Sequence, residues 1–449
     1  MRKKLANLQF SVKLYSLPYR HCCTGLHSEQ CSCFLTGSIT EMREIRTPPP
    51  LMATAFRPLF SSLKSSVIPV GMALLLADCS TSPHVVMPTL STAQARRMMF
   101  QAVKRDNPSI LRHALQTKVN VNQTDESGFT PLLLACRWGN HSCVQLLLTV
   151  PEIDVNLTVE DGETALYKAA AGGHSACIIQ LLKTKGIDVN KAENTYGWTP
   201  LTIAAIDGHD DAFRLLLKAP GININQKDHY GVNVLFHTAF NGYRDGVRRL
   251  LRMGVDLSSY DLGTQAVFRN DIQELRRLID DGYNVNASST YRMTPLLWAA
   301  GLGRTDCVRL LLQAGADTSL PGSDSRTALI RAAGYGHAGC LQLLLTAPGI
   351  NPNQCDEDGE TPLGHAAYAG HTECVRKLLK APGIEVNKAN MLGETPLFLA
   401  AMQGNTSCVK LLLEHPAINP RIKDKNGKTP LQIATSSGYE DCADLLRKR

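Results

Sequence analysis

A period of 34 residues constrains this chain more than any other feature. Thr361–Asn387 reads TPLGHAAYAGHTECVRKLLKAPGIEVN, Thr395–Asn419 reads TPLFLAAMQGNTSCVKLLLEHPAIN, and Thr429–Leu446 reads TPLQIATSSGYEDCADLL. A unit this short cannot bury its apolar face alone. It must stack on copies of itself, so each unit contacts only its neighbours and the chain escapes the size limit of a single core.

The motif explains itself physically. Thr at a helix entry caps the first turn, and Pro at the next position loses no needed hydrogen bond while presetting φ. An Ala pair lets the first helix approach its neighbours, and a Gly follows at the turn into a second helix. A Val-x-x-Leu-Leu run then gives that second helix an apolar stripe at i, i+3, i+4. Asp228–Gly231, Asp356–Gly359 and Asp424–Gly427 carry the composition of tight turns between units.

The Thr-Pro-Leu opening, the Ala pair, the Gly-His step and the Leu-Leu-Leu run resemble the ankyrin repeat, over residues 98–449. The resemblance implies an all-α solenoid of helix-turn-helix units joined by short β-hairpin loops. Units open at Met98, Thr130, Thr164, Thr199, Asn233, Thr264, Thr294, Thr327, Thr361, Thr395 and Thr429, eleven in all. The unit at Thr264 is short, and its Gln265-Ala266-Val267-x-Arg269 echoes Gln101-Ala102-Val103-x-Arg105 of the first. Two sub-arrays are therefore expected, 98–263 and 264–449. The fourth motif position, His in the family consensus, is never His here, so single units should lack the usual Thr–His contact.

Residues 1–97 share nothing with the repeats and are expected to be an unstructured leader. They hold eleven Lys/Arg and four Asp/Glu, leaving 36 of each in the array; the net +7 resides in the leader. A neutral array lacks the basic footprint of nucleic-acid binding. The crowd at His21, Cys22, Cys23, His27, Cys31 and Cys33 has the wrong spacing for a tetrahedral zinc site. Within residues 52–79, an apolar run from Val67 to Ala77 ends at Leu76-Ala77-Asp78-Cys79, which resembles a bacterial lipoprotein box with Cys79 as the lipidated residue. That reading makes the chain an exported or membrane-anchored effector, the alternative to an internal scaffold, and it leaves the compartment open between cytoplasm and envelope.

Seven cysteines stand four positions after the turn Gly (Cys143, Cys177, Cys307, Cys340, Cys374, Cys408 and Cys442), and His174, His209, His337 and His371 follow it directly. Repetition at one structural slot indicates packing rather than chemistry, and equivalent slots in adjacent units are too far apart for disulfides. The sequence contains no HExxH, no phosphate-cradling Gly-Lys-Ser/Thr loop and no Gly-x-Ser-x-Gly. No enzyme activity, metal or cofactor is expected. Function falls to the positions the motif leaves free, at the hairpin tips and before each turn Gly. Trp138, Trp198, Tyr196, Tyr230, Arg137, Tyr335, Tyr368 and Met402 are the expected contacts to a protein partner, since Trp, Tyr and Arg anchor interfaces. Trp138 and Trp198 are the expected principal anchors, Trp298 is expected in the core, and the chain is expected to be a monomer.

Overall fold

The computed structural model describes residues 91–449. The readings that concern residues 1–90, including the 52–79 segment, Cys79 and the Cys/His crowd at 21–33, lie outside the described residues, whereas residues 92–97 of the expected unstructured leader are helical and open the first helix.

Eleven helix pairs follow one another. They are α1 Thr92–Lys104 and α2 Pro108–Leu115, α3 Pro131–Trp138 and α4 His141–Leu147, α5 Ala165–Ala171 and α6 Ser175–Leu182, and α7 Pro200–Ile206 and α8 Asp210–Leu217. Next come α9 Val234–Phe240 and α10 Arg244–Arg252, α11 Leu262–Arg269 and α12 Ile272–Asp280, and α13 Pro295–Gly301 and α14 Thr305–Gln313. The last four pairs are α15 Ala328–Gly334 and α16 Ala338–Leu345, α17 Pro362–Tyr368 and α18 Thr372–Leu378, α19 Pro396–Met402 and α20 Thr406–Glu414, and α21 Pro430–Ser436 and α22 Glu440–Arg447. Away from the short unit around α11, first helices pack on first helices of the neighbouring pairs and second on second, which makes an all-α solenoid. The expected β-hairpins are tight turns without strands among the described residues; their one isolated bridge joins Thr158 and Thr164.

Local chemistry follows the motif. Thr130, Thr294 and Thr361 each accept the amide of the residue three ahead, at 3.2, 3.3 and 3.0 Å. In the turns Asp228, Asp356 and Asp424 each accept the amides two and four residues ahead. The short unit departs from the sequence reading. Its helix begins at Leu262 under an Asp261 cap, which accepts Thr264 N at 2.9 Å, so Thr264 lies inside the first turn and is buried.

Two ladders zip the pairs together. Asn122, Asn156 and Asn190 each donate to a carbonyl of the next unit's loop (Glu152, Gly186, Gly221) and accept an amide two residues beyond it. Asn353 and Asn387 repeat the arrangement farther on. At the opposite turns, His174, His209, His337 and His371 pair through Nε2 with carbonyls at the end of the preceding unit's first helix. The seven repeated cysteines are buried and form no disulfide. Burial pushes the Cys143, Cys307 and Cys374 thiols up to about 12. They act as small core residues.

In three units the missing His at the fourth position has a substitute one residue later. His237 Nε2 lies 2.8 Å from Asp228 Oδ2, His365 Nε2 lies 2.8 Å from Asp356 Oδ2, and Arg331 contacts both Asp324 oxygens at 2.9 Å. Each of these three groups ties its helix to its own turn in a buried site and so stands in for the Thr–His contact in its unit.

The short unit interrupts the regular stacking. It supplies no finger-like turn of the kind its neighbours carry, and α9 touches α13 directly across it. Trp298, 1% exposed as expected of a core residue, packs edge-on against Phe236 of α9 and Phe268 of α11 at 5.6 and 5.2 Å. Tyr335 bridges farther still: its hydroxyl donates to Phe240 O at 2.7 Å. Its ring covers Gly242, where an added Cβ would lie 2.7 Å from Tyr335 Cδ1. The Arg331 guanidinium sits 4.5 Å from the Phe240 ring centroid. The covering role that His takes elsewhere passes here to a side chain three units on.

Candidate partner-binding surface

The tight turns project as fingers beside the first helices, and adjacent fingers are hydrogen-bonded tip to tip. His229 N donates to Tyr196 O, Ser323 N to Tyr291 O, Met391 N to Asp358 O and Lys425 N to Leu392 O, each within 3.0 Å. These bonds set the fingers as a row of fixed spacing, and the free motif positions fall on that row in three groups.

The first group lies at α3. Trp138 is 53% exposed, the largest such indole surface among the described residues. Arg137, beside it and also exposed, holds its guanidinium 5.8 Å from the Trp138 ring and 5.2 Å from the Phe129 ring. The Lys168 ammonium also approaches the Phe129 ring, at 5.7 Å, and pairs with Glu163. The cations stiffen an aromatic platform that still faces solvent.

The second group is an aromatic row. Tyr196 stacks on Trp198 at 4.4 Å and on Tyr230 at 6.3 Å, and Tyr230 meets Tyr291 edge-on at 6.3 Å. The row crosses the place where the short unit supplies no finger. Trp198 is only 4% exposed and lies against His237 at 5.9 Å, so it cannot present its indole to a partner. It supports Tyr196 and Tyr230, which remain half-buried and reachable. The sequence placed Trp198 at a hairpin tip correctly, but the tight turn folds it back under its neighbour. Tyr335 departs in the same way, because its hydroxyl and ring are spent on the Phe240–Gly242 junction.

The third group surrounds a cavity of about 510 Å³ between the fingers and first helices of α17 and α19. Tyr368 and Met402 line it, as do Glu360, Asn390, Glu394 and Leu399. Met391 and Leu392, each 60% exposed, form its rim. Sequence reasoning missed Glu360 and the rim pair. Their signal was Gly364 at the fourth motif position, since a Cβ there would overlap the Glu360 carboxyl. Burial drives Glu360 up to about 8, against the pull of hydrogen bonds from Asn390 Nδ2 (2.9 Å) and Thr361 N (3.1 Å). Burial also works to raise Asp356, yet the His365 hydrogen bond and charge and the nearby Arg326 leave it below its ordinary value.

A family model described as ankyrin repeats (three copies) matches residues 98–261 and 264–449 in overlapping segments. The chain belongs to the ankyrin repeat family. Osteoclast-stimulating factor 1 of Monopterus albus is 42% identical over 55 residues, 12% of this chain and 26% of that protein. Ankyrin repeat, SAM and basic leucine zipper domain-containing protein 1 of Microcebus murinus is 35% identical over 79 residues, 17% of this chain and 16% of its own. This chain therefore spans about a quarter or less of the length of these curated relatives. A crystallised ankyrin repeat protein aligns at 27% identity and a TM-score of 0.40, over 42% of this chain and 98% of its own. Ankyrin repeats generally mediate protein–protein interaction, and the helical solenoid described above is the architecture of that family.

Proposed function

We propose that this chain is a non-catalytic, monomeric scaffold that holds a protein partner against its finger row, with Trp138 as the principal anchor. The observation that carries this reading is the half-exposed indole of Trp138 on a platform fixed by Arg137, Phe129 and Lys168. A rigid surface spends little entropy on association, and exposed Trp and Arg are the side chains from which interfaces draw most of their energy. Tyr196 and Tyr230 extend the contact along the row, with Trp198 beneath them. The repeated His side chains, bonded to backbone, and the repeated Cys side chains, packed in the core, favour a structural role for both over a chemical one.

The test is retention of a partner captured from cells that express the chain, compared between wild type and Trp138→Ala. Burying the exposed half of an indole is worth about 2–3 kcal/mol, or about a 30–150-fold loss in affinity on truncation. Retention equal to wild type would remove Trp138 from the interface. Trp198→Ala is unsuitable for this purpose, because it would open a hole in the finger row.

A further inference from the structure

The cavity between α17 and α19 has a charge imbalance that its own residues do not resolve. Arg326 and Asp356, both on its lining, are 3.4 Å apart, and His365 bonds the same Asp356 oxygen. Asp324 next to them pairs with Arg331. These charges answer one another. Asp358, Glu360 and Glu394 line the same cavity, and no ion pair among the described residues reaches any of them. Glu360 is only 9% exposed, seated in the space that Gly364 leaves, and the Asn390 amide joins it to Glu394, with both bonds at 2.9 Å. Around these carboxyls the surface is apolar: Leu399 behind, Tyr368 and Met402 at the side, Met391 and Leu392 exposed at the mouth.

We propose that this cavity receives one arginine or lysine side chain from an extended segment of the protein partner, with a neighbouring apolar residue of that segment resting on Met391 and Leu392. The inference rests on the scaffold reading and names the chemistry of one of its contacts. An aliphatic stem matches the apolar mouth and a cationic head matches the unanswered carboxyls. A carboxylate or phosphate would meet three acidic groups, and a purely apolar side chain would strip water from Glu360 and Glu394 without giving them a partner.

The cation also changes the protonation of the site. Glu360 is held up by burial and by Asp356 and Glu394, against the Asn390 and Thr361 hydrogen bonds; Asp358, Arg326, His365 and Tyr368 complete the ionisable lining. An arriving cation favours the ionised carboxylate, so binding releases a proton from Glu360. Affinity therefore rises with pH between about 6 and 8.

The test uses the full chain and two fluorescent peptides, Gly-Ser-Leu-Arg-Leu-Ser-Gly and its Arg-to-Gln counterpart, read by fluorescence anisotropy. The Arg peptide is expected to bind at least about tenfold more tightly, which corresponds to one buried charge pair. Glu360→Gln combined with Glu394→Gln should remove that preference and its pH dependence; Gln keeps the shape but accepts only one of the bonds from Asn390 Nδ2 and Thr361 N, so circular dichroism checks that the helices are retained. Equal affinity for the two peptides, or no saturation by the Arg peptide up to about 1 mM, overturns the inference. Trp138→Ala separates the two readings. If it releases the cellular partner while the peptides show no charge preference, the scaffold stands and the cation site falls. If it has no effect while the peptides discriminate, the cation site stands and the Trp138 anchor falls.

Discussion

The short unit between α10 and α13 raises the question of whether the array hinges there, and the structure predicts that it does not. Arg331 is the decisive side chain. It is 2% exposed, contacts both oxygens of Asp324 at 2.9 Å, lies over the Phe240 ring and reaches the Phe240 carbonyl at 3.4 Å. Arg331→Met removes the charge but keeps most of the stem, leaving Asp324, 1% exposed, with Arg326 3.9 Å away as its remaining cation. Orphaning one partner of a buried pair costs about 3–5 kcal/mol, and losing the guanidinium over Phe240 adds about 1–2 kcal/mol. Neutralising both partners in Arg331→Met with Asp324→Asn should return most of the first cost, because the Asn can still cap its turn. The assay is urea unfolding followed by tryptophan fluorescence, with Trp298 in the junction and Trp138 and Trp198 before it. The single variant should unfold at lower urea and in two steps, as weakened nearest-neighbour coupling splits a repeat array into blocks. The double variant should recover most of the loss. If Arg331→Met unfolds like wild type, the Arg331 contacts contribute little and the helices on either side of the short unit are held together by something else.

Other consequences are smaller but separable. Tyr335→Phe deletes one hydrogen bond to Phe240 O and should cost about 1 kcal/mol, whereas Tyr335→Ala also uncovers Gly242 and should cost about 3 kcal/mol; equal effects in urea unfolding would contradict the bridging role. Asn190→Ala removes two bonds between units and should cost about 1–3 kcal/mol, with faster amide exchange at Asn223. Glu360, raised to about 8 from an ordinary 4.5, takes up protons on folding. Its contribution is therefore complete below about pH 4.5 and is lost as pH rises through 8. Relative to Glu360→Gln, thermal stability of the wild type should match near pH 4.5 and fall behind by pH 9. Alkylation under native conditions should label half-exposed Cys355 among the described thiols, while the seven repeated cysteines react only after unfolding.

The fold was legible in the sequence because the motif states its own geometry. Thr-Pro writes a helix start, Gly a turn, and the Val-x-x-Leu-Leu stripe a buried face, and each behaves as its chemistry requires. What the motif could not show was how units share side chains across space. Tyr335 occupies a free position in its own repeat, yet it is consumed three units away because the short unit leaves Gly242 uncovered. Trp198 stands at a turn, but turn geometry tucks its indole under Tyr196. Gly364 reads as an unremarkable small residue until Glu360 is seen to fill its space. Trp138, by contrast, sits at the end of a first helix just before the turn Gly, where local geometry alone sends a side chain outward, and its exposure could be read from the motif.

The central claim is that the finger row, not the backs of the second helices, carries the function. Hydrogen exchange of the full chain, with and without its captured partner, tests it most directly. The account predicts slower exchange at the fingers around Phe129, Tyr196–Tyr230 and Asn390–Glu394 and at the end of α3, with the second helices unchanged. Protection confined to second helices such as α4, α8 and α20 would contradict it.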